Sequence, residues 1–204
     1  MFYETITISA VPAAFRAMQE ALIDLFLDPA RADRLLGCWR CEIGRLNRVV
    51  ILRGFSSLSD LFEDRYALQS DERCRVPECG IESMLFEAWR PLADLPPILP
   101  GAFGPIYEIR TYVVRPGCLD NALMRFRNAL PERLKCSALT VCMSALDGVP
   151  RFRHIWPYAS LDARAEIRAE AVKAGIWPPK DSAGFFGDEM ENCVMLPLPF
   201  SPLS

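Results

Sequence analysis

Hydrophobic and polar residues along the chain follow two different periods, and the points where the period changes divide the chain into elements. Residues 3–10 alternate with a period of two, which predicts a β-strand, and the apolar residues that follow recur every three or four positions, which predicts a helix. The hairpin signal Gly44-Arg45 and the capping residue Ser57 locate the next elements. The first half is therefore predicted to contain strand 3–10, helix 15–26, strands 39–43 and 46–52, a helix that begins after Ser57, and strand 82–89.

The second half repeats this order of elements. A shift of 104 residues places Tyr3-Glu4 on Tyr107-Glu108, and a shift of 103 places Ser57 on Ser160. An internal repeat of this length indicates two copies of one folding unit. The predicted elements of the second copy are a strand from Tyr107 that ends at Pro116-Gly117, a helix at 119–130 that Pro131 shortens, a hairpin around Asp147-Gly148, a helix at 160–173 and a strand at 192–196.

A linker separates the two copies. Residues 92–105 contain four prolines and two glycines, a composition that disfavours both a helix and a central strand. In an extended conformation this linker spans about 40 Å, which is enough to carry the chain across one domain. We therefore divide the chain into a first copy at 1–91, the linker at 92–105 and a second copy at 106–204.

The order of elements in each copy predicts the ferredoxin-like (βαββαβ) arrangement, in which two helices cover one face of a four-stranded antiparallel sheet. Residues 49–52 and 193–196 are continuously apolar, which indicates strands that are buried on both faces. Two such sheets packed face to face meet this requirement. We therefore expect an α+β fold in which the two copies form an intrachain barrel, a pseudo-dimer that needs no separate partner chain. Further oligomerisation stays open.

Three segments resemble the NIPSNAP family. They are the strand Tyr107-Glu-Ile-Arg-Thr-Tyr112 with its Pro-Gly turn, the strand end His154-Ile-Trp-Pro-Tyr158 and, in the first copy, the hairpin from Trp39 to Val49. The resemblance implies a dimeric α+β barrel of the ferredoxin-like superfamily, fused here as two tandem copies. It implies no particular reaction, because the family has no agreed chemistry, and it leaves open whether the protein is an enzyme.

Composition and charge argue against several classes of function. Of the 204 residues, 51% are hydrophobic and the net charge is −3, which is ordinary for a globular protein. We expect no nucleic-acid partner, since there is no basic block, and no membrane span, since the apolar runs are far shorter than about 20 residues. The chain begins directly in a strand pattern, so we expect a cytoplasmic protein. The sequence shows no phosphate-binding loop, nucleophile elbow or metal-ligand cluster, so we expect no cofactor and no bound metal.

The chain contains eight cysteines, which we expect to be free thiols and mostly buried, as is usual in a reducing compartment. Cys38 and Cys41 have the spacing of a zinc or redox motif. They lie in a predicted strand, however, where positions three apart face opposite sides of the sheet. We therefore expect no metal between them.

The candidate binding residues lie in the second copy. Glu108, Arg110 and Tyr112 share one face of a strand by alternation. We expect this face to point into the barrel, and Ile109 and Val113 to lie beneath the helices. Three residues of the later strand complete the candidate ligand-binding set: Glu108, Arg110, Tyr112, His154, Trp156 and Tyr158.

Polarity differs between the two copies at these positions. The first-copy residues that align with Arg110, Tyr112 and His154 are the apolar Ile6, Ile8 and Val50. This asymmetry predicts a single polar pocket that faces an apolar wall. Such a pocket suits a small amphipathic or aromatic molecule held in the barrel.

Other functions remain open for the same residues. His154, the one histidine of the chain, is the candidate catalytic base of a cofactor-independent monooxygenase or isomerase, as found among related barrels, or an axial haem ligand. A hydrogen-bonded core network without any ligand accounts for the same polar residues. A protein-interaction module is the remaining alternative. On the last predicted helix, Arg164 and Arg168 are expected to face solvent.

Overall fold

The computed structural model describes residues 1–74 and 80–204, which form eight strands and four α-helices. The first half contains β1 (Phe2–Ala10), α1 (Phe15–Phe26), β2 (Leu35–Ile43), β3 (Arg48–Phe55), α2 (Leu58–Gln69) and β4 (Ile81–Pro91). The second half contains β5 (Ile106–Val114), α3 (Leu119–Leu134), β6 (Val141–Ala145), β7 (Arg151–Tyr158), α4 (Leu161–Lys173) and β8 (Phe186–Pro197). The order of elements agrees with the order predicted from the sequence.

Helix α3 is longer than predicted. It continues through Pro131 to Leu134, although a proline inside a helix removes one backbone hydrogen bond. Pro131 lies on the exposed side of the helix, whereas its neighbours Leu130 and Arg133 are buried. The prediction that Pro131 shortens the helix is wrong, because packing on the opposite side holds the last turn in place.

The eight strands close into one antiparallel barrel in the order β1-β3-β2-β8-β5-β7-β6-β4. Within each half the order is β4-β1-β3-β2 or β8-β5-β7-β6, which is the ferredoxin-like arrangement. Two pairings between the halves, β2 with β8 and β4 with β6, close the barrel. The predicted α+β barrel within a single chain is therefore confirmed.

Side chains from all eight strands fill the inside of the barrel. The largest are the aromatic residues Tyr3, Trp39, Trp89 and Tyr107, and the rings of Trp39 and Tyr107 lie 5.1 Å apart. The outer faces of the sheets carry two separate cores beneath the helices of the first and second halves. The apolar runs in β3 and at the end of β8 are thus covered on both faces, which explains why they are continuously apolar.

The linker crosses one end of the barrel and is fastened to the last residues of the chain. The backbone N–H of Gly101 donates to the Pro202 carbonyl at 3.0 Å, and Ser204 N–H donates to the Gly101 carbonyl at 3.1 Å. Gly104 has a φ of +150°, and a Cβ atom there would lie 2.5 Å from the Tyr158 carbonyl oxygen, so only glycine fits.

Cys38 and Cys41 lie on opposite faces of β2, as predicted: Cys38 packs beneath the helices and Cys41 lies inside the barrel. Six cysteines are free thiols, namely Cys38, Cys41, Cys118, Cys136, Cys142 and Cys193. The thiol of Cys74 contacts the Leu68 carbonyl, and Cys79 lies outside the described residues. The expectation that the cysteines are mostly buried is wrong for Cys118, Cys136 and Cys193, which are partly exposed.

Among the helices of the described residues, none combines the length and the apolar character needed to cross a membrane.

Candidate functional site

The polar face of β5 points away from the barrel interior. Ile109 packs inside the barrel, whereas Glu108 contacts α4 and Tyr112 belongs to the core beneath α3. Alternation predicted correctly that Glu108, Arg110 and Tyr112 share a face, but the predicted direction of that face is wrong. The physical reason is that both faces of this strand are buried, so burial of Ile109 does not select one of them.

Strand β7 is also buried on both faces. Phe152, Trp156 and Tyr158 belong to the core beneath the helices, and His154 contacts the rings of that core. Ile155 points into the barrel. The structure therefore brings all six candidate residues together on the helix side of the second sheet.

A charged network that the sequence analysis missed occupies the barrel interior. Arg153 on β7 donates to Thr111 at 2.8 Å, to Thr5 at 2.7 Å and to Glu87 at 2.9 Å. Its guanidinium also lies 4.3 Å from the ring centre of Trp89. The free space next to this network is about 70 Å³. The predicted ligand pocket is therefore not located inside the barrel.

Glu108 is the centre of the polar cluster on the helix side. Its carboxylate is fully buried and accepts hydrogen bonds from Arg110, at 2.9 Å, and from Arg164. Arg168 lies 3.6 Å away. Burial alone raises the pKa of Glu108, but the hydrogen bond from Arg164 and the charges of Arg110, Arg168 and Arg164 outweigh it and hold this pKa below its ordinary value. Glu108 is therefore an ionised anchor for three arginines.

Arg164 and Arg168 face the sheet, contrary to the expectation of a solvated position. They lie one turn apart on α4, so both reach the same carboxylate. Burial and the charge of Arg110 lower the pKa of Arg168. At Arg110 itself, burial is outweighed by Tyr112 and Glu108, which raise its pKa. Within the described part of the chain, Glu108 is the ion-pair partner of all three arginines, so the cluster carries excess positive charge.

His154 lies directly behind this cluster and is fully buried. The rings of Tyr112, Phe126, Trp156 and Trp177 surround it at centroid distances of 5.3 to 6.3 Å. Burial, together with the charges of nearby arginines, lowers the pKa of His154 well below 6.5. The imidazole is therefore neutral at physiological pH.

The hydrogen bonding of His154 fixes its tautomer. The indole N–H of Trp156 donates to Nδ1, so the neutral ring carries its proton on Nε2, which has no hydrogen-bond partner among the described residues. With Nδ1 occupied and aromatic rings enclosing the imidazole, His154 does not fit as an axial haem ligand.

Tyr158 and Trp156 contact a further arginine that the sequence analysis did not select. Arg133 of α3 donates to the Tyr158 hydroxyl at 3.2 Å, and its guanidinium lies 4.4 Å from the centre of the Trp156 ring. The signal in the sequence is weak, because Arg133 follows Pro131 at the predicted end of a helix. Arg133 is buried because α3 continues past Pro131.

A cavity of about 260 Å³ adjoins the polar cluster. It lies between the sheet, helices α3 and α4, and the segment that follows α4. Two arginines and four aromatic side chains form its principal lining: Arg110, Arg168, Tyr112, Phe126, Trp177 and Phe186. The cavity therefore combines a cationic side with an aromatic wall.

The first half has a different environment at the equivalent place. Strand register pairs Ile6 with Ile51, as it pairs Arg110 with His154, so the true counterpart of His154 is Ile51 rather than Val50. Ile6 and Ile51 pack in an apolar core beneath α1. The predicted asymmetry in polarity thus holds, with this one-residue correction.

The buried glutamate is common to both halves. Glu4 contacts Arg53 and Arg65, and Arg53 also contacts Asp64. A shift of 103 residues relates Arg65 to Arg168, so these two arginines are structural counterparts. Arg34 also contacts Asp64, and Arg65 also contacts Asp147. Three carboxylates therefore pair with three arginines here, and the charge is balanced more fully.

Comparison with known proteins agrees with this architecture. The NIPSNAP family profile matches residues 107–202. A NipSnap homolog from Dictyostelium discoideum is 27% identical over 174 residues, which cover 82% of this chain and 77% of that protein.

Solved structures that resemble the whole barrel include the following two. An anthrone oxidase-like protein superimposes with a TM-score of 0.68 over 97% of this chain and 91% of its own, at 14% identity. A proposed monooxygenase from Lactobacillus acidophilus gives a TM-score of 0.61 over 96% of this chain and 93% of its own, at 12% identity. At this level of identity the similarity establishes the fold alone.

Proposed function

We propose that the chain is a member of the NIPSNAP family, whose profile matches its second half, and that this half binds a small aromatic molecule with an anionic end. The binding site is the cavity of about 260 Å³ between the sheet and helices α3 and α4. This volume is slightly below the range of about 300–1,000 Å³ that is usual for small-molecule sites, and it suits a ligand of two or three rings. We also place the protein in the cytoplasm, on the support of its six free thiols.

The observation that carries the proposal is the excess of positive charge at the cavity. Arg110 and Arg168 line it, and both already share Glu108 with Arg164. Partly buried guanidinium groups without a full complement of anions are unfavourable, and an anionic ligand supplies the missing charge. A carboxylate or phenolate therefore matches this side of the cavity.

The opposite wall selects the body of the ligand. The four aromatic side chains of this wall pack edge to face. The ring centroids are 5.2 Å apart for Tyr112 and Phe186, 4.9 Å for Phe126 and Trp177, and 6.0 Å for Phe126 and Phe186. Packed rings of this kind form a rigid apolar surface, which favours a flat aromatic body and reduces the entropy lost on binding.

Calorimetry with a matched pair of probes tests the proposal. We expect 2-naphthoate to bind and its neutral amide to bind at least about 10-fold more weakly, since the amide lacks the charge that pairs with the arginines. Arg168→Gln should remove most of this preference. The counterpart substitution in the first half, Arg65→Gln, should leave it unchanged. Equal affinity for the two probes would contradict the proposal.

A second candidate, a cofactor-independent monooxygenase, is favoured by the neutral imidazole of His154 behind the cavity wall. Its Nε2–H reaches a substrate oxyanion only if the aromatic wall between the imidazole and the cavity opens, because His154 does not line the cavity. Nδ1 is occupied by Trp156, so this tautomer does not act as a base. The substrate must therefore ionise readily, with Arg110 and Arg168 stabilising the anion. Dioxygen then converts an activated CH2 group to a carbonyl and leaves water. Measuring oxygen uptake with anthrone as the substrate tests this candidate. We expect the wild-type protein to accelerate the uptake and His154→Phe to lose this activity. An uptake no faster than the uncatalysed rate rejects the candidate.

A further inference from the structure

A second cavity, of about 240 Å³, lies at the end of the barrel that the linker covers. The linker supplies Pro96, Pro97 and Ile98, and the segment that leads into β6 supplies Leu139 and Thr140. This cavity shares no lining residue with the arginine-lined cavity. We propose that it binds an uncharged, apolar small molecule that carries one hydrogen-bonding group, independently of the site beneath α3 and α4.

The lining determines the charge of the ligand. The described residues around this cavity are aliphatic, proline or aromatic side chains apart from Thr140, and none of them carries a formal charge. A charged ligand would lose its hydration there without gaining a partner, which is strongly unfavourable for an isolated ion. An uncharged ring or chain loses little hydration and gains apolar contact. The two cavities are therefore complementary in ligand chemistry.

Thr140 determines where the polar group of the ligand lies. Its hydroxyl oxygen is buried and has no hydrogen-bond partner, although its backbone N–H donates to the Ile155 carbonyl at 2.9 Å. Buried hydroxyl groups in proteins nearly always have a hydrogen-bond partner. The Thr140 hydroxyl lacks one, so it is available to bond the polar group of a ligand. Tyr3 lines the same cavity, and its hydroxyl accepts from the Ile98 N–H at 3.2 Å, which leaves its own proton free to donate.

The walls of the cavity are held in place before any ligand arrives. Two consecutive prolines, Pro96 and Pro97, have fixed φ angles. Hydrogen bonds between Gly101 and the chain end fasten the linker beyond them, and Leu203 packs into the cavity wall. A preformed site costs less conformational entropy on binding than one that must be ordered.

The rim of the cavity is apolar and accessible. Leu99, Phe103 and Leu134 line it and are 72%, 50% and 41% exposed. A cluster of large exposed apolar side chains around a concave site is typical of a binding surface. A bound apolar molecule would cover part of this rim.

Fluorescence and NMR titration with 1-naphthol and naphthalene test the proposal. Both probes are uncharged near neutral pH, and only naphthol carries a hydroxyl. We expect naphthol to bind about 5-fold more tightly because of its hydrogen bond to Thr140. Thr140→Val keeps the shape of the side chain and should abolish the difference. A preference for naphthol that survives in Thr140→Val overturns the assigned role of this hydroxyl.

Two cavity-filling variants separate this site from the arginine-lined one. Ala138 and Ala183 are exposed and line the linker cavity and the arginine-lined cavity respectively. Ala138→Trp should abolish naphthol binding and spare 2-naphthoate, whereas Ala183→Trp should do the reverse. Thermal unfolding confirms that each variant is folded. Naphthol binding that persists in Ala138→Trp, or that is absent from the wild-type protein up to the solubility of the probe, overturns the proposal.

Discussion

Glu108 is a single buried carboxylate that pairs with three arginines of the second half. Its carboxylate is fully buried, and the arginines around it, Arg110, Arg164 and Arg168, are 16–30% exposed. Glu108→Gln leaves three guanidinium groups around a neutral amide. Breaking a buried ion pair costs about 3–5 kcal/mol, and water screens the exposed parts of the arginines. We therefore expect the free energy of unfolding to fall by about 3 kcal/mol at pH 7, as measured by urea denaturation.

The acid range gives a second measurement on the same variant. Because the pKa of Glu108 is lower in the folded protein, the unfolded state takes up the proton first as the pH falls below its value of 4.5. The stabilisation is complete above that pH and is lost as the pH falls through the folded pKa. Glu108→Gln should show less of this loss. Glu82→Gln, at an exposed position, should match the wild-type protein; an unchanged acid range in Glu108→Gln contradicts the ion-pair account.

His154 is the one histidine of the chain, so NMR reports its ring without overlap. Burial and neighbouring arginines lower its pKa well below 6.5, and Trp156 donates to Nδ1. We expect nitrogen-15 shifts of the neutral Nε2–H tautomer that stay constant from about pH 8 to about pH 5. Trp156→Phe removes the donor and should give a mixture of tautomers. A ring that titrates near 6.5 in the wild-type protein would rule out the enclosed position.

At the scale of elements, the sequence predicted the helices and strands well, because the local signals were strong. Ser57 and Ser160 cap α2 and α4 as the pattern indicated: their hydroxyl oxygens accept from the backbone N–H groups of Asp60 and Ala163 at 3.1 and 3.0 Å. The prediction at Pro131 was wrong because the rule for proline in helices considers only the local sequence and not tertiary packing. The sequence alone does not show which face of α3 the sheet covers.

The direction of each strand face could not be predicted from alternation. On β7, Arg153 points into the barrel and His154 points toward the helices, so each face carries a polar side chain. The partners that make the inner position favourable, Thr5 and Glu87, lie 148 and 66 residues away. Such long-range pairing leaves no trace in a local pattern. The candidate residues were therefore grouped correctly and placed on the wrong side.

The seam between β2 and β8 offers a chemical test of the strand register. A Cβ atom at Gly44 would lie 3.3 Å from the Cys41 sulfur and 3.1 Å from the Cys193 sulfur, so the two thiols are close neighbours. Burial raises the pKa of Cys41 to about 11, which makes its oxidation slow at neutral pH. We expect diamide, at mildly alkaline pH, to oxidise this pair to a disulfide and itself to be reduced to the hydrazine. Peptide mapping without reduction identifies the link.

Controls for this reaction lie on the same chain. Cys193→Ser should abolish the intramolecular link, and Cys118→Ser, at a partly exposed cysteine of the second half, should leave it unchanged. Linkage of Cys41 to another cysteine at a comparable rate would contradict the register of β2 against β8.

At the scale of the whole molecule, the internal repeat was the decisive signal. It predicted two equivalent sheets, and the doubly apolar strands predicted that these sheets face each other. The sequence could not predict the two cavities, because each forms where segments that are distant in the sequence meet. One lies between α3 and the segment after α4, and the other lies between the linker and the last residues of the chain. The barrel follows the internal repeat of the chain. The two cavities form at segments that depart from this repeat.

Dividing the chain tests whether the two halves depend on each other. Alone, residues 1–91 expose the apolar inner face that carries Trp39 and Trp89, together with the unpaired edges of β2 and β4. Exposed edges and apolar faces drive association, so we expect this fragment to be insoluble or to dimerise. Co-expression with residues 92–204 should give a soluble one-to-one complex, measured by size-exclusion chromatography with light scattering. The intact chain with a protease site inserted after the exposed Leu99 is the control, and it should stay assembled after cleavage because the strand pairings at both seams remain. A fragment 1–91 that is monomeric and unfolds cooperatively would show that the barrel is an optional contact between two independent domains.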